Sequence, residues 1–230
     1  MASLQRIHVA RLFIFCISAS NSFIHGTDAG AIAFHFPPKT NITGTGDASI
    51  SENKIQFTKN QLNFALTSTL GWVIYNDFIP LWDNSSGSVA NFSTHFQFII
   101  TKAYDRKAEG DGFTFFLSPS GLNISSSSPT QYLGLFRNKT DGSSSNQIVA
   151  VEFDTFQNDG FYPNDNHVGI DVNSIKSKKS VSLDGLFGRF PQHYSKNGRK
   201  WDAWVDYDIN LLVLYIINLP LWIMIEMYVM

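Results

Sequence analysis

The stretch VAVEFDTFQNDGFYPNDNHVGIDVNS, from Val149 to Ser174, crowds acids, amides and a histidine into the most apolar neighbourhood of the chain. Alternation along a strand puts Glu152 and Asp154 on one face and Val151 and Phe153 on the other. Adjacent carboxylates repel, and burying them is costly unless a cation or a shared proton compensates, so the pair points to metal binding or acid chemistry. Downstream, Phe156 offers a main-chain carbonyl and Asn158 an amide oxygen, both hard ligands suited to Ca²⁺, while the imidazole of His167 suits a transition ion. The plainer alternative leaves the acids exposed at a strand end and His167 satisfied in a core.

Outward from this stretch, short runs with period-two alternation recur between Gly, Ser, Asn and Pro clusters. They are Asp47–Phe57, Ser88–Ile100, Gly112–Leu117, Gln131–Phe136, Ile148–Thr155, His167–Val172 and Trp201–Asp208. No segment before residue 209 keeps a helical apolar period for three turns, so an all-β sandwich of antiparallel sheets is expected. Asn197-Gly198 reads as a hairpin turn and Ser125–Ser128 as a loop, and there is no internal repeat.

The chain has 230 residues, with 43% apolar residues, 20 Phe, 16% charged residues and a net charge of -2. It is long enough for one large β domain and too apolar for a disordered chain. So balanced a charge gives no footprint for nucleic acid, and the basic run Lys176–Lys179 reads as a solvated turn.

The first 26 residues, MASLQRIHVARLFIFCISASNSFIHG, set Arg6 and Arg11 ahead of or within the apolar run Leu12–Ile17, which small residues follow, the form of a signal peptide; a buried N-terminal strand is the alternative. The single cysteine, Cys16, lies there, so the remaining chain holds no disulfide. Glycosylation acceptor triplets at Asn41, Asn84, Asn91, Asn123 and Asn138 agree with a secretory route to the extracellular space, vacuole or cell surface.

Residues 209–230, INLLVLYIINLPLWIMIEMYVM, break the style of the chain. At about 1.5 Å per residue they are long enough for a helix to cross a bilayer, but Pro220 and Glu226 would fall inside it. A membrane anchor, a pair of core strands and a segment foreign to the domain remain open.

The blocks VAVEFDTFQN and NHVGIDVNSIKS resemble the metal-binding signature of the legume lectins, the plant L-type carbohydrate-binding family. GDASIS, PLWDNSSGSVANFSTHFQFII, GDGFTFFLSP, QYLGLF and WDAWVDYD extend the resemblance over roughly residues 31–208. It implies a jelly-roll, concanavalin-like β-sandwich over 27–208, incomplete at its C-terminus.

The resemblance also implies that Glu152, Asp154 and His167 hold Mn²⁺, with Ser177 on one of its waters, and that Asp154, the Phe156 carbonyl and Asn158 hold Ca²⁺. Above the calcium, Asp111 and Asn158 would hydrogen-bond a sugar while Phe156 packs on its apolar face, and Gly110-Asp111 would be a cis peptide. Glycans or glycoproteins are the implied partners. Relatives assemble through the back sheet, which makes a homodimer a further expectation.

Three departures weaken this expectation. Tyr162 stands at the family's bridging aspartate, so metal affinity should fall, with Asp159 or Asp165 as substitutes. Gln131 stands where sugar-binding members commonly carry a glycine whose N–H meets the sugar. The apolar tail replaces the usual continuation with its specificity loop. A lectin-like defence, storage or receptor-ectodomain protein without sugar binding is therefore the alternative function. A β-sandwich glycosidase is the weaker one, because Gln157 replaces the second acid of the Glu-x-Asp-x-x-Glu pattern. With no nucleophile elbow and no phosphate-binding motif either, an enzyme is not expected.

Overall fold

The computed structural model describes residues 10–12, 41–51, 54–59, 69–79, 81, 85, 91–102, 111–119, 131–158, 160, 164–184, 192–193, 200–208, 211–218 and 221–228. Almost all regular structure among them is strand. The strands are β1 Ala10–Leu12, β2 Ile42–Gly46, β3 Ser49–Ser51, β4 Lys54–Gln56, β5 Gly71–Tyr75, β6 Phe92–Phe98, β7 Thr101–Lys102, β8 Gly112–Pro119, β9 Val149–Asp154, β10 His167–Val172, β11 Lys179–Ser182, β12 Gln192–His193, β13 Trp201–Asp208, β14 Leu211–Asn218 and β15 Leu221–Tyr228. One 3₁₀ turn, Ser144–Asn146, is capped by the Ser143 hydroxyl.

Two antiparallel sheets make the body, one in the order β1-β8-β9-β10-β11 and one in the order β15-β14-β13-β6. Their facing sides share one core. Phe113, Phe115, Val151, Phe153, Val168 and Ile170 of the first sheet pack on Phe96, Phe98, Trp201, Ala203, Val205 and Leu214 of the second. Rings bridge the gap: Phe153 meets Phe98 at 4.9 Å and Phe96 at 5.8 Å between centroids, both edge-on, the favoured geometry for aromatic pairs.

The other face of the first sheet is also covered. Phe116 and Ala150 pack there with Tyr132, Leu135, Phe136, Ile148 and Ile175, most of them from turns. Period two therefore sorts β9 between two environments, with Val151 and Phe153 toward the facing sheet and Ala150, Glu152 and Asp154 toward the loops. The acids of the opening stretch are buried under loops, on the side of their sheet away from the aromatic core.

Two strand expectations need correction. Gln131–Phe136 is not a strand: residues 131–135 form a turn closed by Leu135 N–H donating to the Tyr132 carbonyl at 2.9 Å. Its backbone passes through left-handed geometry at Leu133 (φ 46) and Gly134 (φ 73), which no strand allows. The Asp47–Phe57 run is broken into β3 and β4, an antiparallel pair with Ser49 opposite Gln56. Lys176 and Lys178 in the bend before β11 are exposed, as expected of the basic run, and so is Lys179, which is the first residue of β11 rather than part of the turn. Asn197-Gly198 and Ser125–Ser128 lie outside the described residues.

The tail joins the second sheet. β14 pairs with β13 along its length, Trp204 facing Tyr215, and β15 pairs with β14. Leu212, Leu214 and Met227 are buried in the shared core, each contributing roughly 1.5–3 kcal/mol by area. No helix among the described residues is long and apolar enough to cross a membrane. At the other end, Ala10–Leu12, inside the expected leader, pairs with Leu117–Pro119 at the edge of the first sheet.

Candidate metal centre

His167 opens β10 directly opposite Asp154, and Gly169 stands opposite Glu152, so the ladder brings two acids and an imidazole to one spot. Glu152, Asp154 and His167 are all fully buried, and one ligand atom of each lies within 4.8 Å of the other two. His167 Nε2 is 3.1 Å from Glu152 Oε1, and its Nδ1 is 3.1 Å from the Asn164 carbonyl oxygen and 3.9 Å from Asp154 Oδ1. The Ser177 hydroxyl sits between Glu152 Oε1 and, at 2.8 Å, Asp171 Oδ1.

Glycine is required at 169. A Cβ there would collide with the Ser177 hydroxyl and lie 2.5 Å from Glu152 Oε1. The bare backbone is what lets Ser177 reach across β10 to Glu152.

The electrostatics of these buried acids favour their neutral forms. Burial pushes the Asp154 carboxyl up to about 9, and the charges of Glu152, Asp111 and Asp165 add to the rise against the opposing hydrogen bond from Phe156 N–H. Asp171 is raised well above the carboxylate range by burial and by Glu152, with the Ser177 hydroxyl opposing. Glu152 Oε2, Asp154 Oδ2 and Asp171 Oδ2 are buried without a hydrogen-bond partner, an expensive arrangement for acids unless a cation meets them. Two carboxylates and an imidazole suit a transition dication. Asp154 with the Phe156 carbonyl and the Asn158 amide oxygen offers the all-oxygen set that Ca²⁺ prefers.

The loop after β9 ties this centre to the surface. Phe156 N–H donates to Asp154 Oδ1 at 2.8 Å, Thr155 N–H donates to the Asp111 carbonyl at 2.9 Å, and Asn158 Nδ2 donates to Asp111 Oδ1 at 2.9 Å. A carboxylate only accepts, so the amide nitrogen of Asn158 must face Asp111, which turns its oxygen the other way. Burial raises the Asp111 carboxyl and the Asn158 amide opposes the shift. Gly112, at φ 138, presses so closely on the Phe153 carbonyl that no side chain fits, which fixes where Asp111 enters β8. Phe156 is 37% exposed, which places an apolar residue at the rim beside these polar groups.

The structure thus gathers Glu152, Asp154, His167 and Ser177, and links Asp111, Phe156 and Asn158 to them. Gln131 lies on a separate element, half-buried at the start of the turn that carries Tyr132. Tyr162, Asp159 and Gly110 lie outside the described residues, whereas Asp165 is half-buried and near enough for its charge to raise Asp154.

Among the acceptor asparagines, Asn138 is exposed in a turn and Asn91 is half-buried. Asn41 is exposed but joined to Asp77 and Asn76. Asn84 and Asn123 lie outside the described residues. Residues not singled out from sequence are Asp171 and Asn164. Asp171 was accessible to the same alternation, two places beyond Gly169, but Asn164 acts through its main chain, which residue type does not reveal.

A family model described as the legume lectin domain matches residues 32–221. Anti-H(O) lectin 2 of Ulex europaeus is 41% identical over 162 residues, 66% of this chain and 64% of that protein. Bark leucoagglutinin of Maackia amurensis is 41% identical over 66% of this chain and 54% of its own length. The chain therefore spans between about half and two thirds of these relatives. A solved structure titled lectin UEA-II complexed with galactose superposes with a TM-score of 0.67 at 35% identity, covering 82% of this chain and 77% of that one.

Proposed function

The chain belongs to the legume lectin family, and on that premise we propose that it binds carbohydrate non-covalently at the rim formed by Asp111, Phe156 and Asn158. The observation that carries this reading is the buried group of Glu152, Asp154 and His167 with orphaned carboxylate oxygens, joined through Phe156 N–H and the Asn158–Asp111 hydrogen bond to an exposed aromatic residue.

Glu152, Asp154 and His167 would hold Mn²⁺, and Asp154, the Phe156 carbonyl and Asn158 would hold Ca²⁺. Bound ions would supply the positive charge that keeps both carboxylates ionised and the loop after β9 fixed. Asp111 then accepts from sugar hydroxyls, Asn158 donates to one through its second amide hydrogen, and Phe156 covers the apolar sugar face. Gln131 narrows the approach if the sugar reaches the 131–135 turn.

The activity we assign is recognition without chemistry: Gln157 offers no proton where a retaining glycosidase of this pattern needs its second carboxyl group. Sites of this shallow kind bind single sugars weakly, so useful avidity needs several copies together, for which a homodimer is the simplest form. We place the protein in the secretory route on the strength of residues 1–26. Cleavage there would remove β1 and leave β8 at the sheet edge.

A glycan array probed with and without chelator tests the reading. Binding restored by Ca²⁺ and Mn²⁺ after chelation is the expected result. Silence on the array by a folded, metal-loaded chain would overturn sugar recognition in favour of an interaction protein on the same scaffold.

A further inference from the structure

We infer that a hydrogen-bonded relay running from Asp184 through Asn166 and Asn164 sets the tautomer of His167, and thereby presents the imidazole Nε2 to a transition ion. The inference rests on the metal reading above and assigns positioning roles to three residues that the reading leaves out.

Each link is a contact. Asn166, fully buried, donates from Nδ2 to Asp184 Oδ1 at 2.9 Å, and its carbonyl accepts from Leu183 N–H at 2.9 Å. Its own N–H donates to Asn164 Oδ1 at 2.9 Å, an Asx turn that fixes the Asn164 main chain. The Asn164 carbonyl oxygen then lies 3.1 Å from His167 Nδ1.

A carbonyl oxygen has no proton to give, so this last bond exists only when Nδ1 carries the hydrogen. Glu152 Oε1 lies 3.1 Å from the other ring nitrogen, on the side from which an ion would approach. Asp154 Oδ1, at 3.9 Å from Nδ1, is beyond hydrogen-bond reach and already accepts from Phe156 N–H. The Asn164 carbonyl therefore decides the tautomer, and Nε2 is left to face Glu152 and the ion. A histidine ligand held in this way keeps its ring orientation and its donor strength.

Asp184 is the residue to change first, because it is exposed and lies outside the group of ligands. In Asp184→Ala, the ¹⁵N shifts of the His167 imidazole, read in the chelated protein, should move from the Nδ1–H form to a mixture of tautomers. Mn²⁺ affinity should fall by about 10–100-fold, the usual loss when a partner of a ligand is removed. Asp184→Asn keeps the accepting Oδ1 and should restore both readings, which a purely structural role for the charge would not do. Asn164→Ala, which removes the Asx turn from the opposite end of the relay, should reproduce the Asp184→Ala shifts if that variant proves poorly folded. Unchanged imidazole shifts in both alanine variants would overturn the relay. If the wild type takes up no Mn²⁺, the metal reading fails, and the imidazole shifts alone then decide the inference.

Discussion

His167 stands directly opposite Asp154 in the antiparallel ladder while the far nitrogen of its ring lies 3.1 Å from Glu152, the next acid on the same face of β9. One histidine thus closes over both carboxylates, and strand register alone brings them together. A slip of one residue between β9 and β10 would send the imidazole to the aromatic side of the sheet.

Burial holds the Asp154 carboxyl up to about 9 against an ordinary 3.8, and Asp171 and Asp111 shift in the same direction. Between those two values the folded, chelated protein holds a proton on Asp154 that the unfolded chain has released, so this group's contribution to stability is complete below about 4 and declines as pH rises toward 9. At pH 7 the Asp154 contribution to that decline is on the order of 4 kcal/mol. Urea midpoints in chelator should therefore be lower at pH 8 than at pH 5. Ca²⁺ with Mn²⁺ should raise the midpoint most at pH 8, because ions bind the ionised carboxylate and displace its proton.

Asp154→Asn separates the two sides of that balance. The amide keeps the shape of the carboxyl but neither ionises nor meets a dication as strongly. The chelated variant should be more stable than wild type at pH 8 and show a flatter pH dependence, while metal uptake and glycan binding are lost. Calorimetric titration with Mn²⁺ and Ca²⁺, beside urea melts, reads both. Retained uptake of two ions per chain would show that Asp154 is not the shared ligand.

Where local periodicity governs, the sequence was readable. His167–Val172 and Trp201–Asp208 form strands with the expected bounds, and the shared face of Glu152 and Asp154 follows from counting by twos. The QYLGLF segment departs from the strand that its alternation suggests because its apolar residues serve a turn, where Gly134 takes a left-handed conformation. The tail resisted reading for a different cause. Apolar residues occupy alternate positions on both of its faces, so Leu214 and Met224 look equivalent in sequence although one is fully buried and the other 43% exposed. The relay to His167 joins residues through main-chain atoms and across to the turn after β11, contacts that only the fold assembles.

Gly169→Ala tests the crowding around Ser177. The added methyl would lie 2.5 Å from Glu152 Oε1 and against the Ser177 hydroxyl, so one of the two must move. We expect a loss of about 1–3 kcal/mol, typical of overpacking, together with at least about a 10-fold loss of Mn²⁺ affinity. Equilibrium unfolding and metal titration of the same sample measure the two effects. Full metal affinity in the variant would mean that Ser177 has no part in the site.

Leu214→Ala removes a fully buried side chain of β14 from between the two sheets and should cost about 2–5 kcal/mol, whereas Met224→Ala, on the exposed side of β15, should stay within about 0.5 kcal/mol. The contrast matters more than either value, because a tail that merely hung from the domain would make both substitutions silent. A tail held in a membrane would likewise leave the unfolding of the detergent-free domain insensitive to both. A large cost at 214 alone means that the strands following Trp201–Asp208 complete the sheet that backs Phe96, Phe98 and Phe153, and so hold from behind the strand that carries Glu152 and Asp154.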